Sequence, residues 1–144
     1  MDSSVNYTVK SENETFSLGV SLAAELSEGS IVALSGQLGA GKTCFARGIA
    51  HGLGVKEEVT SPTYTIISEY MGIKYKVFHI DAYRLSGSGD FSVIGGEEII
   101  FGKGISIIEW YEKINEFIGA DTFRVKIKIV KDDERIIQIT RPEP

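Results

Sequence analysis

The chain is poor in the features that mark several protein classes. It has one cysteine, Cys44, so no internal disulfide is available, and a lone thiol suits a reducing compartment. It has two histidines, His51 and His79, far apart and without a cysteine cluster, which argues against a zinc site. It has no long hydrophobic run. Ile105 to Ile108 is typical of its apolar stretches and falls far short of the ~20 residues that cross a bilayer. The opening Met-Asp-Ser-Ser-Val-Asn lacks the basic and apolar regions of a secretory signal. The expectation is therefore a cytoplasmic protein with no membrane partner. Basic charge is also scarce: 15 Lys and Arg against 20 Asp and Glu give a formal net charge of -5. That balance opposes independent nucleic-acid binding, which needs a basic face to displace counterions. Lys74 and Lys76, and Lys126, Lys128 and Lys131, alternate with apolar residues and read as solvent faces of strands.

What the chain has in excess is glycine, 16 in 144 residues, against an average of about 7%. The length suits one domain spanning residues 1–144, large enough for a core without disulfides or structural metal.

Local patterns order the elements. Residues 5–10 alternate as a short strand. Ser11 and Glu14 form a capping-box pattern ahead of Phe16, Val20, Ala23 and Leu26 at helical spacing, with Gly29 expected to end the helix. Residues 31–35 are a continuous apolar run, the mark of a buried parallel strand. A glycine-rich loop and a helix to about Leu53, closed by Gly54, follow. Residues 64–70 and 74–80 read as a hairpin through Met71-Gly72. Residues 86–90, Ser-Gly-Ser-Gly-Asp, read as a loop, 91–101 as a short helix, 105–109 as a buried strand and 111–118 as a brief helix. Residues 123–130 and 135–140 form a last hairpin. Strands and helices interleave, so the expected class is α/β with a mixed sheet.

Three of the sixteen glycines fall in Gly36-Gln37-Leu38-Gly39-Ala40-Gly41-Lys42-Thr43, a full match to G-x-x-x-x-G-K-[ST] that follows a buried strand and opens a helix. Glycines let several backbone N–H groups turn inward as an anion nest, and the helix adds the positive end of its dipole. Lys42 is the point charge for β- and γ-phosphates. The Thr43 hydroxyl is a hard oxygen ligand for Mg²⁺. Cys44 comes next; alone it reads as a small packing residue, and it closes the expected ATP-binding segment.

Such a site needs a carboxylate at a neighbouring strand end. Val77 to Ile80 leads into Asp81, and Ile105 to Ile108 leads into Glu109, each placed to emerge at the ligand crevice. The residues alone leave open which acid holds metal and which orients water. His79 alternates with apolar neighbours and reads as structural. Tyr83 and Arg84 follow Asp81, and Arg84 is open between a phosphate contact and the surface. Thr60-Ser61-Pro62-Thr63 lies where such proteins often sense the γ-phosphate, although an ordinary Ser-Pro turn is equally consistent.

GQLGAGKT, SPTYTI, HIDAYRL and IIEW, in this order and spacing, resemble the TsaE family of bacterial P-loop ATPases. The resemblance covers about Ser11 to Ile139. It implies a P-loop NTPase-like three-layer fold with a mixed central sheet of about seven strands, and ATP and Mg²⁺ as cofactors. It implies a role in forming threonylcarbamoyladenosine in tRNA. In that family the ATPase binds a transferase subunit and its paralogue, and hydrolysis supports turnover of that complex, so tRNA is met only through it. By motif, the resemblance implies Lys42 on phosphate, Thr43 and Glu109 on Mg²⁺, and Asp81 in the catalytic Walker B-like position. It implies Thr60, Ser61, Pro62 and Thr63 as a switch-like segment, Trp110 in a structural or partner role, and Glu12, Thr15 and Arg135 near the base. Two departures stand out: Tyr111 where the family usually has Pro after Glu-Trp, and the Ser-Gly-Ser-Gly-Asp90 loop. Two other readings compete. A small P-loop kinase needs an arginine-rich lid, and this chain has only Arg47, Arg84, Arg124, Arg135 and Arg141. A GTP switch needs a guanine reader, and neither N-K-x-D nor D-x-x-G occurs.

Overall fold

The computed structural model describes residues 4–37, 39–59, 66–83 and 85–142. Seven strands form one sheet: β1 (Ser4–Val9), β2 (Ile31–Gly36), β3 (Ile67–Met71), β4 (Lys76–Asp81), β5 (Ile105–Glu109), β6 (Phe123–Lys131) and β7 (Glu134–Thr140). Their order is β1-β7-β6-β2-β5-β4-β3. The central strands β6, β2, β5 and β4 run parallel. The edges are antiparallel, β1 and β6 each on β7 and β3 on β4. This is the mixed sheet read from the sequence, with the about seven strands that the resemblance implies. The apolar runs explain its centre: Ile31–Leu34 and all of β5 are buried, as parallel strands covered on both faces must be.

Helices α1 (Glu12–Ala23) and α2 (Lys42–Gly52) cover one face. There Leu22, Phe45 and Ile49 pack on Val32, Leu34, Ile107 and Val125. On the other face, α3 (Ser88–Val93), α4 (Gly96–Ile100) and a 3₁₀-helix (Tyr111–Phe117) pack Phe91, Ile100 and Ile114 against Ile31, Ala33, Ile80 and Ile108. The result is three layers. Lys74, Lys76, Lys126, Lys128 and Lys131 are exposed, as their alternation requires. Among the described residues, no helix is long and apolar enough to cross a membrane.

Three local expectations need correction. Helix α1 begins as its capping box predicts, with the Glu14 N–H donating to Ser11 Oγ at 3.1 Å. It stops at Ala23 with Ala24 as its cap, not at Gly29. Short-range turns from Glu25 and Leu26 to the carbonyls of Leu22 and Ala23 tighten its end. The helix expected over 91–101 is two helices, and the first starts inside the supposed loop 86–90. Gly95, at φ 82°, breaks the run and starts the second, a left-handed conformation that a side chain disfavours. Gly96 then lies against the Phe91 ring, where a Cβ would overlap it. The helix expected over 111–118 is 3₁₀, with a kink at Ile114.

The closest helix approach is between α1 and α2. A Cβ on Gly48 would run into the Phe16 carbonyl, and one on Gly19 into the Phe45 carbonyl. A Cβ on Gly52 would lie 2.6 Å from that of Ala23. The phosphate-loop helix is thus seated on α1 backbone to backbone. Gly48→Ala is expected to cost about 1–3 kcal/mol or more by overpacking, a fall of about 4–10 °C in the thermal midpoint. An unchanged melting curve would contradict this packing.

Candidate functional site

The loop between β2 and α2 carries the phosphate motif. Gly36 sits at φ 152°, and a Cβ there would stand 2.6 Å from the Ile127 carbonyl oxygen; only glycine lets β2 turn this close to β6. Gly41 caps α2 at φ 112° with no side-chain cap bond. The first N–H groups of α2 are therefore left for an anion. The Ala40 N–H donates to the Gln37 carbonyl at 3.0 Å, closing the loop. Leu38 lies outside the described residues.

Lys42 is almost fully buried. Its Nζ donates to the Gly36 carbonyl at 2.8 Å and lies 3.7 Å from the centroid of the Trp110 ring. Burial pushes its ammonium below the usual lysine range, opposed by the charges of Glu109, Glu112 and Asp81. Trp110 reaches this position from a left-handed backbone, φ 60°, directly after β5. Its ring also meets Tyr83, centroids 4.9 Å apart. Tyr111, in place of the family's usual proline, opens the 3₁₀-helix just beyond.

The two acids meet. Asp81 and Glu109 are register partners at the ends of the adjacent parallel strands β4 and β5. Glu109 is 3% exposed. Its Oε2 receives a bond from the Thr43 hydroxyl at 3.5 Å and lies 2.6 Å from His79 Nε2. Asp81 Oδ1 accepts from the Tyr83 N–H at 3.0 Å. A cleft of about 250 Å³ is lined by Gly39, Gly41, Lys42, Thr43, Cys44, Asp81, Glu109 and Trp110.

Beside it, a smaller hollow of about 60 Å³ is lined by Ser11, Glu12, Thr15, Gly39, Ala40, Gly41, Cys44, Asp133 and Arg135. The fold thus brings Glu12 and Thr15 of α1 and Arg135 of β7 to the phosphate loop, and Arg135 Nε donates to the Ala40 carbonyl at 3.1 Å. Cys44 lines both spaces. Its thiol donates to the Glu12 carbonyl at 3.3 Å, and burial raises its pKa. The expected switch-like segment Thr60, Ser61, Pro62 and Thr63 lies outside the described residues, as does Arg84.

The donor set suits a hard cation. A hydroxyl and a carboxylate converge at Thr43 and Glu109 next to a second carboxylate, all oxygen. Among the described residues no group of three or more His, Cys, Asp or Glu side chains could hold a metal by itself. Mg²⁺ takes one or two carboxylates and draws its remaining ligands from substrate phosphates and water, so Thr43 and Glu109 are the residues that could hold it. Two participants were not legible as site residues. His79, expected to be structural, is bonded to Glu109, and Trp110 faces Lys42. Period-two alternation was the available signal for His79, since it places His79 and Asp81 on one face of β4.

The chain is similar to known proteins over nearly its whole length. The family model described as threonylcarbamoyl adenosine biosynthesis protein TsaE matches residues 9–137. The tRNA threonylcarbamoyladenosine biosynthesis protein TsaE of Treponema pallidum is 39% identical over 130 residues, covering 90% of this chain and 96% of that protein. Its Bacillus subtilis namesake is 38% identical over 127 residues, covering 88% and 79%. The crystal structure of Bacillus subtilis YdiB superposes with a TM-score of 0.83 at 33% identity, covering 99% of this chain and 88% of that one. With the phosphate loop, the paired strand-end acids and the seven-stranded mixed sheet all carried on a chain this similar throughout, the protein belongs to the TsaE family.

Proposed function

We propose that this chain binds and hydrolyses ATP with Mg²⁺ in the threonylcarbamoyladenosine modification of tRNA, acting through a transferase subunit and its paralogue. The observation that carries the reading is one cleft lined by Lys42, Thr43, Asp81 and Glu109 at the open end of α2. In this reading Lys42 and the loop N–H groups bind the phosphates. Thr43 and Glu109 would hold Mg²⁺, which would supply charge neutralisation to the phosphates. Asp81 orients the attacking water. Glu12, Thr15 and Arg135 border the neighbouring hollow, on the side suited to the nucleoside.

Among the described residues every arginine side chain is hydrogen-bonded within the chain. Arg47 donates to the Val59 carbonyl, Arg124 to those of Ile118 and Gly119, Arg135 to that of Ala40, and Arg141 to Glu25. This disfavours the kinase reading, which needs an arginine-rich lid. It also predicts slow hydrolysis by the isolated chain, because an arginine supplied in trans can be worth about 10³–10⁵ in rate. The purified transferase pair should bind the chain in a pull-down more strongly with ATP than without, and should change its rate of phosphate release. No association under either condition would reject the partner assignment.

A further inference from the structure

His79 is buried to 1% exposure on β4, and its Nε2 lies 2.6 Å from Glu109 Oε2. The register explains the contact. Asp81 stands opposite Glu109, and His79 stands opposite Ile107, one pleat earlier. Val77, His79 and Asp81 therefore share the α1/α2 side of the sheet with Ile105, Ile107 and Glu109. The Glu109 carboxylate is held between the imidazole on its sheet side and the Thr43 hydroxyl on its helix side.

The other ring nitrogen decides what His79 does to this carboxylate. Nδ1 is buried and has no hydrogen-bond partner among the described residues. A proton there would be a stranded donor in the interior, which folded proteins avoid. The network therefore places the proton of this contact on Nε2. His79 donates that N–H to Glu109 Oε2 and fixes the carboxylate's orientation.

We propose that His79 is a positioning residue for Glu109: its Nε2–H locks the carboxylate in the rotamer that receives Mg²⁺ beside Thr43. The proposal rests on the nucleotide and metal reading above. Carboxylates that bind metals depend on such outer hydrogen bonds, and losing one costs about 10–100-fold in metal affinity or activity.

The test uses the full chain as wild type, His79→Leu and His79→Gln. Trp110 is the only tryptophan and stands over Lys42, so its fluorescence reads occupancy without turnover. A non-hydrolysable ATP analogue is titrated once in EDTA and once in excess Mg²⁺. In EDTA all three proteins should bind equally. The gain in affinity on adding Mg²⁺ should fall about 10–100-fold in His79→Leu. It should largely persist in His79→Gln, whose amide N–H reaches the same carboxylate. A wild-type gain in His79→Leu would overturn the proposal. So would an equal loss in both variants when both melt cooperatively, because ring volume would then matter and the N–H would not. Should His79→Leu fail to fold, folded His79→Gln still decides: retention of the gain supports the proposal and its loss overturns it. If Mg²⁺ gives the wild type no gain at all, the metal reading and the role of His79 fall together, an outcome distinct from the failure of His79 alone.

Discussion

Lys42→Ala should abolish measurable ATP hydrolysis while leaving the protein folded. The ammonium is the one side-chain cation buried at the phosphate loop among the described residues. Removing a preorganised charge aimed at a transition state costs at least about 10²–10³-fold in rate. The fold should tolerate the change because Lys42 is not a packing residue of the core. It is held by a single bond to the Gly36 carbonyl and by the face of Trp110, and burial already works against its charged form. The alanine variant should therefore melt near the wild-type temperature. Steady-state phosphate release checks the first part and thermal denaturation the second. Near-normal turnover would sink the phosphate-loop assignment.

Glu109→Gln should be as damaging by a different route. The amide keeps the shape of the side chain and still offers His79 an oxygen, so β5 and its neighbours should stand. What disappears is the negative charge. A metal contributes several kcal/mol of charge stabilisation at a phosphoryl oxygen, and about 1.4 kcal/mol is tenfold in rate. Hydrolysis should fall by at least about 100-fold, and nucleotide affinity should cease to respond to Mg²⁺. The change also removes the strongest of the charges that hold the Lys42 ammonium in its protonated form against burial, so residual activity should shift towards lower pH. Activity within a few-fold of wild type at saturating Mg²⁺ would overturn the placement of Glu109 at the metal.

The two variants differ in how their positions were found. Lys42 and Thr43 sit in a contiguous string whose chemistry is local: glycines turn the chain, and the next helix begins there. Glu109 and Asp81 were visible as acids at the ends of apolar runs, and the residues alone left their roles open where the family resemblance implied them. Strand order resolves their pairing, since β4 and β5 are neighbours although β4 and β5 are separated by two helices in the chain. His79, read as structural, is buried and bonded, but its partner was not legible for the same reason. Its partner is thirty residues away, and alternation with Phe78 and Ile80 reports burial without naming what it is buried against.

The helix errors have a local cause. Apolar spacing over 91–101 fits one helix, yet Gly95 in a left-handed conformation divides it, and Gly96 is required by the Phe91 ring that folds back on it. At the end of α1 the reverse occurred. A glycine was available as a stop at Gly29, but the turn closed five residues earlier on Ala24, where backbone bonds sufficed.

By itself, the sequence determined the α/β class, the buried parallel strands and the phosphate loop, because each depends on interactions within a few consecutive residues. The tertiary structure alone decided that Glu109 is gripped by His79 and Thr43, that Trp110 roofs Lys42, and that Arg135 bonds the Ala40 carbonyl of the loop. Those contacts join residues far apart in the chain, and only the register of parallel strands and the glycine-to-glycine seating of α1 on α2 bring them within bonding distance.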